Sequence, residues 1–157
     1  VVETVELTAT VRQDRRYIEA LEAAAPDTPS NFSVRRVGDL YPPVSAEVED
    51  VDFVLLNFPK GGGSWEQALA WAKSNGYENT NPREVLAVVE QHDLRAPLSR
   101  NWLHLIATTE CCSEGSRRAV CVSVGGLERF AGLSRLEIFG SDSDWFLFRK
   151  KHSGLGS

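Results

Sequence analysis

No stretch of this chain approaches the ~20 consecutive apolar residues that a membrane helix needs. The first ten residues, VVETVELTAT, lack the basic and apolar regions of a secretory signal. The chain does not begin with Met, which leaves a processed N-terminus open. Cysteine is scarce, and three is an odd number, which suits a reducing cytosol better than a disulfide framework. The expected location is therefore cytoplasmic. C-x-x-C is missing, which removes the usual spacing for zinc and for thioredoxin-like redox chemistry. The EF-hand spacing is missing too. No metal site and no cofactor is expected. A net charge of -5 and a pI near 5.2 disfavour non-specific binding to nucleic acid, whose phosphates such a field repels.

What is present describes an ordinary folded domain. At 157 residues the chain can bury about two-thirds of its unfolded surface without a metal or disulfide staple. Apolar residues at 42% and charged residues at 25% are usual globular values. Residues 1–151 are expected to form one domain, and 152–157 (HSGLGS) a disordered tail or an expression scar.

The stretch DFVLLNFPKGGGSWEQALAWA, from Asp52 to Ala72, organises the reading. Phe53 to Phe58 is an apolar run expected to be a buried strand. Gly61, Gly62 and Gly63 make a turn, and Ser64 with Gln67 forms a capping box at the start of a helix. Strand, glycine turn and helix start can hold an anion with Lys60 beside them. The spacings that define known phosphate loops are absent, however. Lys60 precedes the glycines instead of following them, and neither G-x-x-x-x-G-K-[ST] nor G-x-G-x-x-G occurs. A nucleophile elbow fails as well, because Glu66 stands where G-x-S-x-G needs its second glycine. Lys60, Gly61, Gly62, Gly63 and Ser64 remain a candidate ligand-binding loop, weighed against a plain strand-to-helix hinge.

Elsewhere, Thr4 to Val11 alternates as a half-buried strand. Asp14 is placed to cap a helix over 15–25, and Pro26 ends it. Phe32 to Val37 reads as a second strand. Glu47, Glu49, Asp50 and Asp52 read as a solvated acidic run. Asn81, Pro82 and Glu84 spell an N-cap, an N1 proline and an N3 acid, opening a helix to about His92. Two helices joined by a short polar loop are expected to pack as a pair. The last third holds four strand-like runs separated by turns: 102–110, 118–124, 129–139 and 145–150. The fold class expected is α+β: a mostly antiparallel sheet, built from a C-terminal four-stranded meander plus N-terminal strands, with about three helices mainly on one face.

A four-residue turn at 113–116 would set Cys111 opposite Arg118, Cys112 opposite Arg117 and Cys121 opposite Thr108. A thiolate beside Arg117 and Arg118 would be reactive; the plainer reading is small apolar cysteines. His104 and Glu110 lie six residues apart on one strand, about 20 Å, too far for a dyad. The run 145–148 is apolar on both sides, so both faces must be covered. Trp102, His104, Arg118, Arg135 and Trp145 are candidate interface residues, since Trp and Arg dominate interface energetics. No catalytic residue is assigned. The function expected is a small soluble binding module without catalytic activity, with a protein or a second copy of itself as partner on an apolar sheet face. The alternative is an anion- or nucleotide-binding protein, or small enzyme, using the Gly61–Ser64 loop.

Overall fold

The computed structural model describes residues 2–12, 14–40, 48–95, 101–113 and 116–151, with backbone alone at 38–40 and 111–113. The strands are β1 (Glu3–Arg12), β2 (Val48–Asn57), β3 (Tyr77–Asn79), β4 (Trp102–Ala107), β5 (Cys111–Ser113), β6 (Ser116–Gly125), β7 (Glu128–Arg135) and β8 (Asp144–Lys150). The helices are α1 (Tyr17–Ala24), α2 (Trp65–Ser74) and α3 (Pro82–Gln91). All eight strands belong to one sheet in the order β1-β2-β8-β4-β6, closed by β7 on the far side of β6. The short strand β5 continues the line of β4 along β6, and β3 lies beside the end of β8. Every pair is antiparallel except β4 with β8. The class is α+β, as the sequence indicated.

The centre of the sheet is β2 and β8, and their composition explains why. Phe53, Leu55, Trp145 and Leu147 point to one face, where they pack with Leu21 of α1 and Val85 and Leu86 of α3. Val54, Leu56, Phe146 and Phe148 point to the other and pack with Trp65, Ala68 and Ala72 of α2. A strand covered on both faces reads as a continuous apolar run. The doubly apolar sequence of β8 is thus satisfied inside the monomer. Trp145 is fully buried and is corrected here from an interface candidate to a core residue.

Several local expectations change. The first three C-terminal strands do run as an antiparallel succession, but β8 does not follow β7 at the edge. The chain returns through a 3-10 turn, Leu136–Ile138, and β8 inserts between β2 and β4. Helices α2 and α3 do not pair. Between them β3 joins the sheet and carries the chain past it, so α3 packs on α1 and β1 while α2 sits on the opposite face. Residues Ser33–Leu40 form a 3-10 helix, not a strand. Helix α1 begins after Arg16 without a side-chain cap, because the Asp14 carboxylate is engaged by Arg12 at 3.1 Å. The acidic run belongs to β2: Asp50 and Asp52 accept from Thr10 and Thr8 across the β1 ladder, each at 2.7 Å; Glu47 lies outside the described residues. The capping box at α3 is complete, with Asn81 and Glu84 each bonded to the other's backbone N–H.

Candidate functional site

Helix α2 covers the β2–β8 half of its face; Leu136 and Phe139 pack on part of the β4–β6 half, and a cleft opens over the rest. Alternation along β4 sends Trp102 and His104 to the β4–β6 half of that face. The register then sets Asp144 beside His104 on β8 and Ser123 opposite His104 on β6. Asp144, His104 and Ser123 therefore form one row across three adjacent strands.

The row borders a cleft of about 650 Å³ lined by these three residues together with Cys121, Phe130 and Arg36, among others. Residues 31–34 and the 3-10 helix that carries Arg36 form one wall, and Ile138 and Phe139 another. Trp102, 42% exposed, stands next to two of the lining residues. Its ring meets His104 edge-on at 5.8 Å and lies 6.1 Å from Phe130. Gly125 makes room for it: a Cβ there would fall 1.9 Å from the indole.

Asp144 is only 4% exposed, yet its carboxylate is well furnished. One oxygen accepts from His104 Nδ1 at 3.0 Å; the other accepts from the amides of Gly140 and Ser141 at 2.9 and 3.1 Å. Burial by itself would raise the carboxyl pKa. The His104 bond and the two amides outweigh it and hold the group below its usual value. An ionised Asp144 calls for a proton on Nδ1, and Nε2 has no hydrogen-bond partner among the described residues. Cys121 is 7% exposed, and burial pushes its thiol up to about 11, so it is a thiol and not a thiolate at neutral pH. Its Sγ lies 3.6 Å from Ser134 Oγ.

The glycine loop has a structural task. Gly61 N–H donates to Phe58 carbonyl at 2.8 Å, Gly63 N–H to Gly140 carbonyl at 3.1 Å, and Ser64 Oγ accepts from Gln67 N–H at 3.1 Å. Two of the three glycine amides are thereby occupied by protein carbonyls. None of the three cavities described for the chain is lined by Lys60 or residues 61–64. Asn57 adds a second support to the same segment, donating through Nδ2 to the carbonyls of Asp142 and Asp144, each at 2.9 Å. The loop thus buttresses the turn that presents Asp144.

Of the interface candidates, Trp102 and His104 come together at the cleft. Arg118 is turned elsewhere, donating to Ser116 Oγ at 2.9 Å and to Leu133 carbonyl at 3.4 Å, and Arg135 faces it across the β6–β7 ladder. The predicted backbone register of Cys111 with Arg118 and Cys112 with Arg117 is found. Cys121 falls opposite Ile106 instead of Thr108, because residues 108–110 interrupt the β4–β5 line and shift it by two.

Sequence reasoning missed Asp144 and Ser123. Ser123 carries the parity of Cys121 and was reachable from the correct register. Asp144 was not, since nothing local pairs β8 with β4. Among the described residues no group of His, Cys, Asp and Glu has the arrangement of a metal site. No helix is long and apolar enough to cross a membrane among those residues. Searches against protein-family models, curated proteins and solved structures returned no match for this chain.

Proposed function

We propose that this chain is a small-molecule binding module whose ligand sits in the cleft over the β4–β6 half of the sheet. The observation that carries the reading is the cleft itself. Its ~650 Å³ falls within the range of about 300–1,000 Å³ typical of ligand sites, and it joins apolar walls to a few convergent polar groups. Phe32, Phe130 and Ile138 supply flat apolar surface, while His104 and Arg36 supply hydrogen bonding and a positive charge. Arg36 has no carboxylate partner among the described residues, which leaves its guanidinium for a ligand. The matching ligand is a small organic molecule with one flat apolar part and one hydrogen-bonding end.

A fragment screen by thermal shift, repeated with Phe130→Ala and Arg36→Ala, tests this. Fragments that raise the melting temperature of the wild type should lose most of that effect in both variants. Stabilisation of equal size in wild type and variants would reject the cleft as the site.

A further inference from the structure

Several nucleophilic or potentially nucleophilic side chains line the cleft, and the structure separates four of them. Cys121 holds its proton, Ser134 lies against Cys121, and Ser141 Oγ accepts from Ser143 N–H at 3.3 Å. Ser123 differs. It is 93% buried by its neighbours, lines the cleft and has no hydrogen-bond partner among the described residues. It also stands directly opposite His104, where Cβ atoms of paired residues lie about 4.5–5.5 Å apart. His104 lines the cleft, has its Nδ1 on Asp144, and shows no partner for Nε2 among the described residues. This is the order of parts in which a carboxylate orients an imidazole and the imidazole activates a hydroxyl; such sets are recognised by geometry and role, not by sequence position.

We propose that Ser123, His104 and Asp144 form a nucleophilic row that cleaves carboxylic esters bound in the cleft, with an aryl or other flat apolar leaving group against Phe130. The proposal rests on the cleft being a small-molecule site. Ser123 Oγ bonds to the acyl carbon while its proton passes to His104 Nε2. The bond between the acyl carbon and the leaving oxygen breaks, and that oxygen takes the proton from Nε2 and departs as the alcohol or phenol. Water then attacks the acyl-serine. Its proton goes to Nε2, its hydroxyl remains on the acyl carbon, and the acid leaves as Ser123 Oγ recovers the proton. Asp144 is a positioning residue: it touches only His104 and the 140–141 amides. No oxidant, metal or further reactant enters the balance.

The test uses p-nitrophenyl acetate and its far less reactive amide isostere p-nitroacetanilide, with the intact chain. The ester should give a burst of nitrophenolate and one acetyl group, mapped by peptide mass to Ser123. Ser123→Ala should remove the adduct. Asp144→Asn should slow acylation by roughly 10³-fold or more, the order expected when the tautomer is lost. It should leave anilide affinity, read by Trp102 fluorescence against a Trp102→Phe control, within about twofold of wild type. Acylation of any other residue, or burst kinetics surviving Ser123→Ala, overturns the proposal. No acylation with the anilide still bound overturns the ester chemistry and leaves the binding site standing. Neither acylation nor anilide binding overturns this assignment, and the fragment screen then decides the binding reading independently.

Discussion

Gly63 and Gly140 lock backbone to backbone. The Gly63 amide donates to the Gly140 carbonyl at 3.1 Å, and a Cβ on Gly140 would fall 1.9 Å from the Gly63 carbonyl oxygen. Gly140 also has φ +126, a conformation that L side chains rarely adopt. Both constraints act on the residue whose amide holds the Asp144 carboxylate. Gly140→Ala is therefore expected to cost about 3 kcal/mol, from strain and from backbone overlap that no rotamer can relieve. Urea unfolding measures the loss. Cleft binding should weaken with it, because the turn that presents Asp144 must move.

Asp144 should leave its mark on acid stability. Its folded-state pKa lies below the unfolded one, where an aspartate titrates at about 3.9. The folded chain thus binds its proton less readily, so the ion's stabilisation is present above the unfolded pKa. It is lost as pH falls through the folded value. Asp144→Asn keeps an acceptor for the amides of Gly140 and Ser141 but removes the charge. At neutral pH it should be about 1.5–3 kcal/mol less stable, the range for hydrogen bonds to a charged group. Denaturant titrations at several pH values should show the gap between variant and wild type closing below about pH 4. A gap independent of pH would contradict the assignment of an ionised Asp144.

How much of this could be read beforehand depends on the range of the interactions. The capping box at Asn81 and Glu84, the cap at Ser64 and the facing of Cys111 with Arg118 are settled within a few residues, and each was legible. The two-residue shift that puts Cys121 opposite Ile106 lies in an interruption with no sequence mark. The return of β8 to the centre is less legible still. Its apolar residues ask only for cover on both faces, and that demand is met equally by a partner chain or by the chain's own helices. The His104–Asp144 bond joins residues forty positions apart through a parallel pairing, so no local pattern announces it. Most elements were local and readable, though Ser33–Leu40 was not, and the site was made by the crossover.

Cys121 should be silent toward thiol reagents in the folded protein. Burial keeps the proton on sulfur, with the pKa pushed up to about 11, so the thiolate that the reagent needs is scarce at neutral pH. Iodoacetamide at neutral pH, followed by peptide mapping, should find residue 121 unmodified in the native chain and fully modified in denaturant. Rapid native modification would mean that the cleft floor opens and that Cys121, not Ser123, is the accessible nucleophile there.

Arg149 gathers three carboxylates at the end of β8. It meets Glu84 at 2.7 Å, Glu49 at 3.5 Å and Glu78 at 3.8 Å. Glu84 is the critical partner, since its side chain is 3% exposed and burial raises its pKa against the opposing pull of the Asn81 amide and Arg149. Truncating Arg149 to Ala leaves that carboxylate buried without its cation, at an expected cost of about 3–5 kcal/mol. Glu84→Gln alone should cost less, because the amide oxygen can still accept from the Asn81 N–H that Glu84 Oε1 holds at 3.0 Å. Combining the two should recover part of the loss, as the stranded charge is gone. A double-mutant cycle in urea reads this directly. Strictly additive losses would show that Arg149 acts through Glu49 or Glu78, or through packing of its stem, and not through the buried acid of the α3 cap.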